Sequence, residues 1–326
     1  MSLPKNNFNP PFNIIRASHI LLLVKDLGKS ENFYKDILGL HPEEKTATTL
    51  TFRGMEERNT SLILQQSDNP SCGFIGFRVG AEEDLDKAKA WFQSKGLHAE
   101  FSEQPGRGKV LQTIDNIGFK MEFSASLERK PIITQKYQLY KGVHPLRIDH
   151  FNCFSPDVQG STEFYTEMGF RVTEYTETDP PDAKLWATWM HRKGGVHDIA
   201  FTNGVGPRLH HFAYWVPTPL HIIHLCDVMS TTGYLKNLER GPGRHGISNA
   251  FFLYIRDPDN NRVEIYCSDY LTVDPDLEPI KWSMSDTQRQ TLWGMPAPRS
   301  WFEEGSTFPN TPTIEPNLQA KPIIAH

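Results

Sequence analysis

The feature that most constrains this chain is that it repeats itself. The segment from His19, SHILLLVKDLGKSENFYKDILGL, recurs in the segment from His150, DHFNCFSPDVQGSTEFYTEMGF. At one common offset Asp26, Ser30, Phe33 and Tyr34 meet Asp157, Ser161, Phe164 and Tyr165, while Gly169 closes its helix one residue sooner than Gly39 does. Each copy predicts a strand, a turn and a helix with apolar residues at three-to-four spacing, ended by a glycine able to adopt the left-handed C-cap conformation. Later segments also pair. GFIGFRVGAEEDLDKAKAWFQSKG resembles LHHFAYWVPTPLHIIHLCDVMSTTG, each a strand and an amphipathic helix closed by Gly96 or Gly233. DNIGFKMEFSAS matches DPDNNRVEIYCSDY, where an Asp- and Asn-rich turn introduces an alternating strand.

A length of 326 residues suits about two domains of roughly 150 residues, each able to bury its own core. The repeat predicts an N-terminal domain over 1–126, a connector over 127–144, a second domain over 145–273 and a Pro-rich tail over 274–326. Trp282, Trp293 and Trp301 punctuate that tail, which reads as a surface wrap pinned by its tryptophans or as a lid over a site.

Net charge excludes one class of partner. Against 39 Asp+Glu stand 34 Lys+Arg, giving −5, so no broad positive field attracts a nucleic-acid backbone. The apolar run from Ile20 to Val24 is far too short to span a bilayer, and no signal-like segment precedes it, so no membrane association and a cytoplasmic location are expected. Cys72, Cys153, Cys226 and Cys267 are scattered, with no C-x-x-C pair, and read as small buried apolar residues.

The chemistry concentrates in the second half. His150 in RIDHFNCF, His211 in PRLHHFAYW and Glu264 in NNRVEIYC stand on its first, middle and last strands. Singly, a strand histidine is an ordinary core residue; together, inward-pointing acid and base are costly to bury unless paired or bound to metal. Two imidazoles and one carboxylate suit a first-row divalent ion and leave adjacent coordination positions open. His210 competes with His211, because neighbouring strand residues face opposite sides. The first half keeps His19 and Glu122, but Phe74 stands where His211 does, so that pair reads as a relic or a local hydrogen bond. A turn centred on Asp259 would set Tyr254 opposite Glu264 across a hairpin.

These segments, with VHDIAF, GPGRHG and NAFFLYIRDPDNNRVEIY, resemble the vicinal oxygen chelate superfamily. Within it they are most similar to the extradiol catechol dioxygenases of the homoprotocatechuate 2,3-dioxygenase group. The resemblance covers about Ala17 to Asp269. It implies an α+β fold of two tandem domains, each of two βαββ modules forming a glyoxalase-like open barrel, with an irregular C-terminal tail. It implies an enzyme that takes a small-molecule catechol and O2, uses Fe(II) or, through the same donors, Mn(II), and assembles as a homo-oligomer, commonly a tetramer. Carried over by position, His150, His211 and Glu264 are the metal ligands. His197 is the acid/base that moves protons, Tyr254 contacts a catechol oxygen, and His245 and Asn152 complete the pocket. Arg240 matches one of the arginines that grip a substrate carboxylate, and Trp189 a pocket wall. A second such arginine falls at Gln290, with Arg289 beside it. The rival readings are another oxygen-chelate enzyme, an isomerase or lyase, or a non-catalytic small-molecule binder.

Overall fold

The computed structural model describes residues 3–320, so the last six residues of the expected tail lie outside the described residues. The first half forms β1 (Ile14–Val24), α1 (Leu27–Glu31), β2 (His41–Lys45), β3 (Thr49–Arg53), β4 (Leu62–Gln66), β5 (Ser71–Val79), α2 (Glu82–Ser94), β6 (Ala99–Gln104), β7 (Gly108–Ile114) and β8 (Lys120–Ser124). The second forms β9 (Arg147–Ser155), α3 (Val158–Glu167), β10 (Arg171–Glu177), β11 (Leu185–His191), β12 (Ile199–Asn203), β13 (Arg208–Trp215), α4 (Pro219–Thr231), β14 (Leu238–Arg244), β15 (Phe251–Arg256) and β16 (Arg262–Cys267). The tail adds β17 (Ile280–Ser283), β18 (Trp293–Gly294) and α5 (Arg299–Glu303). Each expected βαββ module gains one more strand, because a helix is followed by three strands rather than two.

The two halves build one sheet each, 8-stranded in the order β2-β3-β4-β1-β5-β8-β7-β6 and 10-stranded in the order β17-β10-β11-β12-β9-β13-β16-β15-β14-β18. In each centre two antiparallel strands, β1 with β5 or β9 with β13, are flanked by parallel partners. The tail is therefore more than a wrap, since β17 and β18 extend the second sheet at its two edges. Trp282 donates its indole N–H to Glu174 and Trp301 is buried, whereas Trp293 is exposed, resting its ring 5.7 Å from that of Phe251. No helix among the described residues is long and apolar enough to cross a membrane.

The repeat is realised down to its caps. Asp26 Oδ1 accepts from the Lys29 N–H and Asp157 Oδ1 from the Gly160 N–H, each at 3.0 Å, satisfying an otherwise orphaned donor at the start of α1 or α3. The extra residue of the first copy is absorbed by a π-helical continuation of α1 over Asn32–Ile37, where the Leu38 N–H reaches the Phe33 carbonyl at 2.9 Å. A π-turn is how a helix takes up one inserted residue without rotating its two ends out of register.

One apolar cluster runs through both halves, with Phe77 meeting Phe123, Phe151 and Phe170 at ring distances of 5.7–5.9 Å. Each such fully buried ring contributes about 1.5–3 kcal/mol relative to exposure. Cys72, Cys153 and Cys267 join the buried interior, while Cys226 on α4 is only partly covered; all four are free thiols. The halves are also tied reciprocally by the repeated tyrosine. Tyr34 donates its hydroxyl to Asp257 Oδ2 at 2.7 Å, and Tyr165 donates to Asp115 Oδ2 at 3.2 Å. Each aspartate heads the turn before the last strand of the other half and also accepts backbone N–H groups from its own turn. Tyr34→Phe and Tyr165→Phe should each lower unfolding free energy by about 0.5–3 kcal/mol, the range spanning bonds to neutral and charged partners, since burial raises Asp257 to about 6 and Asp115 to about 7. Urea titration of the two variants would measure this, and midpoints equal to wild type would show that the tethers do not hold the halves together.

Candidate metal centre

Strand register alone brings the three predicted ligands to one place. On β13, Ala213 pairs with His150 of β9 on one side and with Glu264 of β16 on the other, so these three side chains point to one face. His211, two residues along β13, shares that face because successive side chains alternate. The small Ala213 leaves room between the larger groups. The first half has the same arrangement: Gly76 pairs with His19 and with Glu122, and Phe74 sits two residues along.

Donor atoms of His150, His211 and Glu264 all lie within 4.8 Å of one another, and all three residues are buried. His150 Nε2 is 3.0 Å and His211 Nε2 3.2 Å from the same oxygen, Glu264 Oε2. Two nitrogen lone pairs converging with a carboxylate oxygen, and no fourth protein donor in the group, fit an ion bound on one face with its other positions open. Burial lowers His211 to about 4 against the pull of Glu264, so its imidazole is neutral and able to ligate near pH 7. His150 is also lowered by burial, but carboxylates at both ring nitrogens raise it overall.

Both imidazoles are oriented from behind. His150 Nδ1 faces Asp149 Oδ2 at 3.0 Å, a carboxylate–histidine pair that directs Nε2 inward. Lys193 anchors this pair, donating to the Asp149 carbonyl at 2.6 Å and to the His197 carbonyl at 2.7 Å. His210 turns away from Glu264. Its Nδ1 meets His211 Nδ1 at 2.6 Å and its Nε2 reaches the Trp301 carbonyl at 2.8 Å. His211, not its rival, therefore faces the carboxylate.

Every other predicted site residue lines the same pocket. His197 stacks on His150 with ring centroids 3.8 Å apart, and burial together with that neighbour keeps it well below the usual histidine range. It is thus a neutral base beside the ligands. As expected, Tyr254 pairs directly with Glu264 across the β15–β16 hairpin. Its hydroxyl lies 2.9 Å from His245 Nε2, and His245 Nδ1 lies against the Gln290 carbonyl. Because that carbonyl can only accept, the proton sits on Nδ1, and the tyrosine O–H donates to Nε2. Asn152 and Trp189 also line the pocket, Asn152 accepting from the Thr202 hydroxyl at 3.3 Å.

Both arginines face the cavity. Arg240 donates to the Gln290 carbonyl at 3.0 Å and to Thr291 Oγ1 at 2.7 Å, and lies 4.5 Å from the centre of the Trp301 ring. Its Nε and Nη1, and Nε of Arg289, find no hydrogen-bond partner among the described residues although they are buried. Burial lowers each guanidinium to about 10. Arg289 brings its side chain to the pocket, resting 5.2 Å from the Trp186 ring, while Gln290 brings its backbone carbonyl.

Sequence reasoning missed Asp149, Lys193 and Trp186 as parts of this site and singled out Trp301 only within a tail read as a wrap or a lid. Asp149 could have been found as the acid directly preceding a ligand histidine; Lys193 reaches the site from a loop and Trp301 from the short helix α5, both at the end of connections whose course no local pattern encodes. In the first half, Glu122 Oε1 accepts from His19 Nε2 at 3.0 Å and from Arg107 Nε at 2.7 Å, so a guanidinium stands where a cation would otherwise be needed.

Comparison with known proteins agrees with the repeat. The model described as Glyoxalase/Bleomycin resistance protein/Dioxygenase superfamily matches residues 16–122 and again 147–265. Homoprotocatechuate 2,3-dioxygenase from Brevibacterium fuscum, solved as a complex with 3,4-dihydroxyphenylacetate, is 40% identical, with 94% of this chain and 96% of that one covered and a TM-score of 0.88. A room-temperature structure of an extradiol ring-cleaving dioxygenase from B. fuscum is 39% identical over 98% of this chain and 91% of that one, with a TM-score of 0.91. The manganese-dependent 2,3-dihydroxybiphenyl 1,2-dioxygenase of Geobacillus genomosp. 3 is 29% identical over 297 residues, 86% of this chain and 93% of the relative. Matched in both halves and along nearly its whole length, the chain belongs to the Glyoxalase/Bleomycin resistance protein/Dioxygenase superfamily.

Proposed function

We propose that this chain is an extradiol ring-cleaving dioxygenase that inserts both atoms of O2 into a catechol bearing a carboxylate, 3,4-dihydroxyphenylacetate or a close analogue. The carrying observation is a two-histidine, one-carboxylate set opening into a pocket where two buried arginines lack acidic partners. Glu264 is the one acid among the described lining residues, so a substrate carboxylate supplies the missing charge. His150, His211 and Glu264 would hold Fe(II) or Mn(II). Such an ion supplies, when bound, adjacent open positions and electron transfer between catechol and dioxygen.

The chain's own residues bind, orient and move protons. Neutral His197 accepts a catechol proton and returns it as the ring opens, a task suited to an imidazole. Tyr254, its proton directed to His245, presents its hydroxyl oxygen toward a substrate hydroxyl and fixes the ring's orientation. Trp186, Trp189 and Trp301 exclude water around it. The ring bond between a hydroxylated carbon and its unhydroxylated neighbour breaks, and the product, a muconic semialdehyde, keeps both oxygen atoms without an external reductant.

The same reading takes residues 1–126 as a domain without metal, 127–144 as a connector, 145–273 as the catalytic domain and 274–326 as a Pro-rich tail serving as lid or interface, of which Arg289, Gln290 and Trp301 line the pocket. It places the enzyme in the cytoplasm as a homo-oligomer, and exposed Leu271, Val273 and Met295 offer apolar surface for subunit contact.

Protein loaded anaerobically with Fe(II), given 3,4-dihydroxyphenylacetate and then air, should turn yellow as semialdehyde forms, and His211→Ala should abolish the colour. Colour only with catechol or protocatechuate would keep the reaction and move the specificity; none with all three would favour an isomerase, a lyase or a plain binder. Arg289→Gln should raise KM for 3,4-dihydroxyphenylacetate by about 10–100-fold, the loss expected for a bond between charged groups, while leaving catechol turnover within a few-fold. Equal effects on both substrates would remove the carboxylate grip. His197→Asn should lower kcat by about 10²–10⁴ with little change in KM, measured by steady-state oxygen uptake.

A further inference from the structure

We infer that His210 is a positioning residue for the metal centre, accepting the Nδ1 proton of His211 and so holding its Nε2 free for the ion. The inference rests on the metal-binding reading above and goes beyond the three ligands themselves.

The local backbone is built for this contact. Register along β13 runs from Leu209 opposite Cys153 directly to His211 opposite Asn152, leaving His210 as the extra residue of a β-bulge. A bulge re-aims side chains and suspends strict alternation, which is how two consecutive histidines can both be buried and meet edge to edge. Their Nδ1 atoms are 2.6 Å apart, so one carries the proton and the other accepts it. Beyond His210, Nε2 lies 2.8 Å from the Trp301 carbonyl, which can only accept. A neutral His210 therefore has its proton on Nε2 and its lone pair on Nδ1. His211 must then be the Nδ1–H donor, which leaves its Nε2 lone pair pointing at the Glu264 oxygen 3.2 Å away.

His210 is itself fixed. Its ring lies 4.2 Å from the Trp301 ring in an edge-on contact. Arg262 donates one amino group both to the His210 carbonyl at 2.9 Å and to the Glu304 carbonyl at 3.0 Å, and the other to the Ser300 carbonyl at 3.1 Å. That arginine begins the strand that carries Glu264. The tail segment around α5, the bulge and the carboxylate strand thus share one clamp.

The first half is a control within the same chain. Its β5 carries the equivalent bulge, with register passing from Leu21–Phe74 to Leu22–Cys72, and the extra residue is Gly73. A Cβ at Gly73 would sit 2.5 Å from the Leu21 side chain, so an imidazole would enter only by displacing that leucine. Where Phe74 replaces the ligand, its partner is missing as well.

The test uses the full-length protein loaded with Co(II), whose metal-bound histidines give strongly shifted proton resonances. Wild type should show two exchangeable ring N–H signals, that of His211 exchanging slowly because it is buried against His210. His210→Phe, which keeps the ring packing but removes the acceptor, should shift or lose that signal and weaken metal binding by about 10–100-fold in chelator competition. His210→Asn, which can still accept through its amide oxygen, should recover much of the affinity. A His210→Phe protein with wild-type affinity and an unmoved His211 signal overturns the inference. So does a fast-exchanging His211 proton in wild type, which needs no variant to fold. If wild type binds no ion while His211→Ala behaves identically, the metal reading itself has failed; if wild type binds and only His211→Ala loses it, the failure is confined to His210.

Discussion

The organisation of this protein turns on one buried carboxylate. Glu264 sits in the interior with two imidazole nitrogens at 3.0 and 3.2 Å from one of its oxygens. A lone carboxylate there would carry a large desolvation cost, and the two histidines offset it, holding Glu264 well below the usual carboxylate range. A divalent ion among the three groups would supply the same positive partner. The surrounding scaffold is arranged to keep this electrostatic demand directed: Asp149 and His210 turn the two histidines inward from behind, and Ala213 lies between the strands that bring them together.

The first half shows the same demand met differently. His19 and Glu122 occupy the corresponding strands, but Phe74 removes one donor and Arg107 places its guanidinium 2.7 Å from Glu122. A fixed cation within the chain thereby substitutes for an exchangeable one. Around these two centres the strand order is shared, and the reciprocal tyrosine–aspartate bonds join the halves at matching positions. One duplicated scaffold thus supports a closed ionic cluster on one side and an open donor set on the other.

Beyond the donor set, the same pocket carries guanidiniums with unmet N–H groups and tryptophan walls. A planar molecule with vicinal oxygens and a carboxylate matches both kinds of group at once. The tail completes this wall by supplying Arg289, the Gln290 carbonyl and Trp301, which explains how a segment without periodicity can still be structurally committed: its contacts are made by individual side chains and carbonyls rather than by an apolar face.

Much of this was legible in sequence because it depends on local, periodic or repeated features. The turns at Asp26 and Asp157, glycine stops, strand alternation and the turn before Glu264 are encoded within a few residues of where they act. The duplication let one half be read against the other, which is why His150, His211 and Glu264 stood out and His19 and Glu122 did not. The one-residue difference between the copies was visible too, although its realisation as a π-turn was not. Tertiary structure alone decided what depends on contacts between distant segments. The β-bulge that separates His210 from His211 is a property of pairing with β9, so simple alternation could not choose between them. Arg107 and Lys193 enter their sites from loops and Trp301 from the short helix α5, and whether Arg289 contributes a side chain or Gln290 a carbonyl depends on the path of a strandless segment over the sheet edge. Local sequence determines which groups exist and which way each strand faces; only the packed fold determines which of them meet.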